Sequence, residues 1–272
     1  MFMFSRKKEI LTDRQVYLRE IRRSKLSTKF WQIGLLFFII IGWQLLVDFR
    51  IIDEFISSSP RQIVVSFVDL IKDGTLLYHL GVTMYETLLG FVFGTLGGVV
   101  IAMTLWYYEK VGNVLDPYLV VLNALPKVAL GPIIIVWAGA GISSILIMTL
   151  AISLITTIMG AYAGFTQVDK DKIVLMKTFG ATKKQILFKV VLPASYENIL
   201  SVTKINVGLS WVGVIMGEFL VSKAGIGYLI MYGSQVFNLH LVMCGVVILC
   251  VAAGVMYALI NMIEKYASKK YR

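Results

Sequence analysis

Apolar residues gather along the chain into long runs separated by short polar stretches. A helix needs about 20 such residues to cross the hydrocarbon of a bilayer. The runs extend from Phe30 to about Val47, from about His79 to Leu105, from about Pro117 to Ala138, from about Ile142 to Phe165, from about Ile199 to Met216 and from about Leu239 to Ile263. The pattern predicts an all-α polytopic membrane protein with six transmembrane helices. In the second span Gly90, Gly94 and Gly98 recur at four-residue spacing with Gly97 beside them, a groove into which a neighbouring helix can pack closely. The third contains Pro126 and Pro132. Prolines there leave backbone carbonyls that protein or a cavity must satisfy.

The polar stretches are patterned too. Ser59 before Pro60 reads as an N-cap with proline in the first turn. Ile63, Val64, Phe67, Leu70 and Ile71 then make one apolar stripe, predicting a short surface helix outside the membrane that ends at Asp73-Gly74. Gly139-Ala140-Gly141 reads as a tight turn, and Glu218, Lys223, Gly225 and Gly227 lie in a glycine-containing loop. Residues 166–195 are the longest polar interruption after the second span. Two helical stretches flank Gly180, and Pro193 is expected to stop the second of them where the next span begins.

Composition sharpens this picture. Of 272 residues 58% are hydrophobic and 15% charged, more apolar than a soluble domain. The formal charge is +10, and its distribution gives the orientation. With the N-terminus inside the cell, Arg50, Arg61, Lys72 and Lys223 fall outside and Lys127 and Lys204 within spans; the other twenty of the 26 Lys and Arg face the cytoplasm. That is the asymmetry expected of six spans with both termini cytoplasmic. Three parts follow: a basic N-terminal segment 1–29, a transmembrane domain 30–263 and a basic tail 264–272. In the first, Ile10, Leu11, Tyr17, Leu18 and Ile21 lie near one helical face, compatible with an amphipathic helix on the inner leaflet or with a solvated tail. Its charged stretch is too long for a signal peptide's n-region, so the first run is expected to remain as an anchor. The positive charge flanks apolar runs and no nucleic-acid motif accompanies it, which excludes nucleic acid as a partner. Cys244 and Cys250 read as buried spectator thiols, and with only His79 and His240 beside them there is no metal-site spacing.

Ionisable residues at membrane depth cost about 2.5–3.5 kcal/mol each near the centre, so Glu86, Lys127 and Lys204 are candidates for function. Lys127 is placed to attract an anionic solute or to pair with an acid such as Glu86. Lys204 reads as snorkelling to the cytoplasm. Glu197 and Glu218 lie nearer the interfaces, Glu218 as a cap on the external end of the fifth span or part of a gate. Trp137 reads as an interface residue, and Trp211, lying deeper, as packing or path-lining. The translocation-path candidates are therefore Glu86, Lys127, Trp211 and Glu218.

In the 166–195 segment, Phe179-Gly180-Ala181-Thr182 leads into a basic stretch closed by Val190-Val191-Leu192-Pro193. This resembles the cytoplasmic signature loop of bacterial ABC-importer permeases: Glu-Ala-Ala, three residues, Gly, nine residues, Ile, any residue, Leu-Pro. Gly180, Leu192 and Pro193 match, Val190 takes the Ile place, and Val174, Leu175 and Met176 replace the Glu-Ala-Ala. The stretches Leu125-Pro126-Lys127-Val128-Ala129-Leu130-Gly131-Pro132, Trp137-Ala138-Gly139-Ala140-Gly141, Ser210-Trp211-Val212-Gly213-Val214, Gly217-Glu218-Phe219-Leu220 and Gly225-Ile226-Gly227-Tyr228-Leu229-Ile230 extend the likeness over about residues 58–262. Together they resemble permease subunits of nitrate/sulfonate/taurine-type ABC importers.

The resemblance implies two paired permease subunits, a homodimer when one gene encodes them. It implies cytoplasmic ABC ATPases carrying ATP and Mg and an external or periplasmic binding protein that delivers the solute: a sulfonate, nitrate or vitamin precursor. It also implies a location in the cell membrane, and an ATPase-docking loop formed by Lys177, Phe179, Gly180, Ala181, Thr182, Leu192 and Pro193. The chain has no Gly-Lys dipeptide and hence no Walker A loop, so no enzymatic activity and no cofactor are expected in it. An ion-coupled secondary transporter is the alternative, but it calls for inverted repeats, and none is evident. A membrane enzyme calls for clustered His, Asp or Glu at one face, whereas the two histidines are far apart in sequence.

Overall fold

A computed structural model describes residues 13–268, with side chains from 21 to 266. Every regular element among the described residues is helical. The chain divides between Gln62 and Ile63 into two units.

In the first unit, α1 (Asp13–Asp48) is one continuous helix whose part Ile21–Asp48 is long and apolar enough to span a membrane. The basic stretch from Arg14 to Lys29 thus runs directly into the first span instead of forming a separate surface helix. The side chains of Tyr17 and Leu18, and all of Arg6, Lys7, Lys8, Ile10 and Leu11, lie outside the described residues. The short α2 (Glu54–Ser57) is N-capped by Asp53, whose carboxylate accepts from the Phe55 N–H at 2.8 Å. Ser59 caps α3 (Pro60–Lys72) as its sequence predicts, accepting from the Gln62 N–H at 3.3 Å.

In the second unit, α4 (Thr75–Tyr107) spans in one piece, and the expected third span does not. It is broken into α5 (Glu109–Ala124), a 3-10 turn (Lys127–Leu130) and α6 (Gly131–Ala138), with an 85° bend. The break follows from Pro126: the residue before a proline avoids helical backbone, and Leu125 is extended at φ −63°, ψ 138°. Pro132 opens α6, where its missing N–H costs nothing. The remaining elements are α7 (Ile142–Thr166), α8 (Lys170–Thr178), α9 (Lys183–Ile186), a π turn (Leu187–Val191), α10 (Leu192–Ala194), α11 (Tyr196–Val221), α12 (Ile226–Gln235) and α13 (Leu239–Ser268). The expected loop after the fifth span is largely helix α12. Among the described residues five helices are long and apolar enough to span, six with the bent pair as one.

The centre of this unit is made by α4, α7 and α11, and it mixes apolar side chains such as Ile145, Met148 and Val214 with small and polar ones. Helix α4 buries His79, Thr83, Glu86, Thr87, Gly90, Gly94 and Gly98 and exposes Leu88, Val92, Phe93, Leu96 and Val100. Lipid offers little incentive to bury leucine, so small and polar residues supply the closest helix–helix contacts. Gly90 lies against Thr149, Gly94 against Ser153 and Asn206, and Gly98 against Thr157. From the other side Gly213 abuts the Thr149 backbone, where a Cβ would come within 2.5 Å of Cα. Asn206 donates to Thr95 Oγ1 at 2.6 Å. Gly94→Leu is expected to lower stability by about 1–3 kcal/mol, the usual cost of overpacking, seen as a fall in thermal unfolding temperature in detergent. Gly34→Leu, at a position with open space around it, leaves that temperature unchanged.

Lys204 makes an ion pair with Glu264 at 2.6 Å, tying α11 to α13 where the C-terminal tail begins. One expectation changes at the periphery. Cys244 is buried but Cys250 is exposed on α13.

Candidate functional site

The 166–195 segment is a helix–glycine–helix projection. Asp169 caps α8, accepting from the Asp171 N–H at 2.9 Å. The turn rests on Gly180 at φ 73°, with its N–H on Lys177 O at 2.9 Å and the Ala181 N–H on Met176 O at 3.0 Å. Thr182 starts α9 with a capping box: Thr182 Oγ1 accepts from the Gln185 N–H at 3.3 Å, and Gln185 Oε1 from the Thr182 N–H at 2.8 Å.

Pro193 does not stop the second helix. It lacks an N–H and its ring crowds the carbonyl four residues back. The helix answers by widening into the π turn, with the Leu192 N–H on Leu187 O, and continues through Leu192 and Pro193 to a break at Ser195. Ser195 Oγ donates to Gly164 O at 3.0 Å.

The two helices have opposite characters. Ile186, Leu187 and Val191 pack with Ala102 of α4 and Ala161 and Phe165 of α7 in a buried cluster. Lys183 reinforces this seat. Its Nζ lies 2.8 Å from Glu109 Oε1 and 5.8 and 5.7 Å from the Trp106 and Tyr107 ring centres. Helix α8 instead shows Val174 and Leu175 to its surroundings, and Phe179 beyond it is 78% exposed. Lys177 and Thr182 are exposed, Ala181 half-buried.

At the opposite end of α4, α7 and α11 lies a second polar cluster. Glu218 is not a cap on the end of the fifth span: α11 continues to Val221, and the residue is 1% exposed. It caps α12 instead. One carboxylate oxygen accepts from the Gly227 N–H at 2.5 Å and the other from Thr83 Oγ1 at 2.6 Å. Thr83 Oγ1 in turn accepts from the Ile226 N–H at 2.8 Å, and His79 Nδ1 from the Gly225 N–H at 3.0 Å. Negative charge at a helix N-terminus is favoured by the exposed amides and the helix dipole. The His79 ring stacks on Tyr228 with centres 5.9 Å apart. Glu86, 4% exposed, faces Glu218.

The expected Lys127–Glu86 pair is therefore not formed. Lys127, half-buried at the break between α5 and α6, donates to Asn123 O at 3.0 Å and Asn123 Oδ1 at 3.1 Å. Thr156 of α7 donates to the same Asn123 Oδ1 at 3.2 Å. Among the described residues Lys127 makes no ion pair. Trp211 is buried within the subunit with Val207 and Met256. Of the four path candidates the structure brings together Glu86 and Glu218 and leaves Lys127 and Trp211 elsewhere. His79 and Thr83 were not singled out by sequence, although their spacing to Glu86, Gly90 and Gly94 traces one face of α4.

Among the described residues, five to six helices apolar enough to span, one of them bent at a proline, and a projecting helix–glycine–helix segment define the permease subunit of an ATP-binding-cassette importer. The comparisons agree. Residues 94–272 match the family of binding-protein-dependent transport system inner membrane components, and the chain belongs to that family. It is 29% identical over 238 residues, 86% of each chain, to a Bacillus subtilis protein described as an aliphatic sulfonates transport permease, SsuC. It is 24% identical over 227 residues to the taurine transport system permease protein TauC of Escherichia coli, covering 81% of this chain and 82% of that one. A chain from an inward-facing structure of the MetNI methionine ABC transporter shares the fold, with a TM-score of 0.58 and 18% identity over 68% of this chain and 92% of that one.

Proposed function

We propose that the chain, as a homodimer in the cell membrane with both termini cytoplasmic, forms the path by which a small organic anion of the sulfonate class is imported. An external binding protein delivers the anion. Segments 1–29 and 264–272 flank the transmembrane domain 30–263 on the cytoplasmic side. The 166–195 segment, through Lys177, Phe179, Gly180, Ala181, Thr182, Leu192 and Pro193, docks a separate ATPase that carries ATP and Mg. Its exposed Val174, Leu175 and Phe179 offer apolar area on an otherwise polar projection, which favours burial against a protein partner.

The observation that carries the anion is Lys127. A lysine at the break of a span, with a neutral partner in Asn123 and no carboxylate partner among the described residues, leaves a positive charge without its counter-charge. Sulfonate supplies the complementary charge, and Asn123 and Thr156 supply polar neighbours for its oxygens. Two relatives named for sulfonate and taurine transport support this class.

The test is uptake of radiolabelled taurine and ethanesulfonate into proteoliposomes holding the chain with its copurified ATPase and a binding protein from the same cells. Uptake should require ATP and persist without an ion gradient. Lys127→Met should reduce it about tenfold or more, the scale of one lost charge interaction, with the ATPase still bound. Uptake driven by an ion gradient without ATP would overturn the importer reading, and an unaffected Lys127→Met would overturn the role of Lys127.

A further inference from the structure

Glu86 of α4 and Glu218 of α11 bring two carboxyl groups into hydrogen-bonding range of each other in a buried site. Two ionised carboxylates placed so would repel, whereas one proton between them makes a short, charge-assisted hydrogen bond. The donors around the pair decide where that proton sits. Both Glu218 oxygens already receive donors, from Thr83 Oγ1 and from the Gly227 N–H, and the Tyr228 N–H adds another. Glu86 Oε2 is buried and no donor reaches it. Glu218 therefore plays acceptor throughout, and Glu86 is the group with a donor's place to fill.

We propose that Glu86 carries the shared proton and donates it to the Glu218 carboxylate, and that this pair is the latch seating the N-terminus of α12 between α4 and α11, on which coupled transport depends.

The 183–192 helix is seated by an apolar cluster that water opposes opening. The start of α12 is seated by directional contacts: Gly225 N–H on His79, Ile226 N–H on Thr83 and Gly227 N–H on Glu218. Ile226, Leu229 and Ile230 of α12 are buried as well, so apolar packing holds the body of the helix while these directional contacts fix the position of its first turn. Glu86 and Glu218 act here as positioning residues, which separates them from the solute path. The uptake arm of the test rests on the importer reading above; its spectroscopic arm does not.

Four variants test the proposal: Glu86→Gln, Glu86→Ala, Glu218→Gln and Glu218→Ala, each purified with the ATPase and reconstituted. A glutamine at 86 still donates an N–H to Glu218, so Glu86→Gln should keep uptake per ATP hydrolysed within about twofold of wild type. Glu86→Ala and both Glu218 variants should lower that ratio about tenfold, the scale of one hydrogen bond to a charged group. Glu218→Gln fails because its amide NH2 is set against the Gly227 N–H or the Thr83 hydroxyl. Infrared difference spectra of the purified chain should show a protonated-carboxyl band that Glu86→Gln removes. An unaltered band in Glu86→Gln, or Glu218→Gln performing as well as Glu86→Gln, overturns the proposal. Absence of wild-type uptake with that band present strikes only the importer reading.

Discussion

A single methyl group at position 225 is expected to unseat α12. Gly225 has φ 108°, a conformation L residues rarely adopt, and a Cβ there would overlap the Glu218 carboxyl. The backbone strain alone is about 1–3 kcal/mol, and the overlap meets a carboxylate whose oxygens are already committed to Thr83 and Gly227. Relief requires either α12 to move off Glu218 or the carboxylate to lose its donors, each removing a hydrogen bond to a charged group at about 1.5–3 kcal/mol. Gly225→Ala should therefore lower the unfolding temperature of the solubilised chain and cut uptake at least about tenfold. Gly74→Ala is the matched control. Gly74 also has positive φ, 70°, but a Cβ there meets nothing within 4 Å, so only the left-handed backbone cost of about 1–2 kcal/mol remains. Equal effects of the two substitutions would show that the carboxylate seat contributes nothing.

This seat also marks where the sequence stops being readable. The spans are legible because their lengths are set by the bilayer, and the groove of Gly90, Gly94 and Gly98 is legible because a helix's period is fixed. The break at Pro126 is legible in kind, since proline cannot continue the hydrogen-bond ladder, but not its 85° bend, which depends on how α6 restarts after Gly131. The partners of Glu218 were hidden. Thr83 and His79 are 135 and 146 residues from the groups they bond, and nothing local encodes such a pairing. What the sequence does contain is its trace: glycines at 225 and 227, both of which would overlap Glu218 if they carried a side chain. The same limit explains Lys127. A lysine and a glutamate in neighbouring spans invite pairing, yet Glu86 lies on the α4 face that meets α11, while Lys127 bonds backward within its own segment to Asn123. In the 166–195 segment the turn at Gly180 was readable, but the effect of Pro193 was not. A π turn absorbs the missing N–H, and the apolar cluster beneath it holds the helix in place.

Gly180→Val is expected to abolish ATPase association while leaving the membrane bundle folded. Gly180 has φ 73° and nothing near the place a side chain would occupy, so space is not at issue and the backbone decides. A β-branched residue in left-handed backbone is a true outlier at about 2 kcal/mol. The turn itself is held by three backbone hydrogen bonds, Phe179 N–H to Leu175 O, Gly180 N–H to Lys177 O and Ala181 N–H to Met176 O, with no side-chain packing around Gly180, and is cheap to deform. The strain therefore reorients α8 and Phe179, whereas α9 and the π turn stay on α4 and α7 through Ile186, Leu187 and Val191. A docking surface made of both helices loses its shape although each survives. Copurification of the ATPase should fall at least about tenfold, with the unfolding temperature of the bundle retained. Gly180→Asn separates conformation from composition, because asparagine tolerates left-handed backbone far better. It should restore association, and a valine variant that binds the ATPase as well as wild type would remove the 166–195 segment from the docking surface.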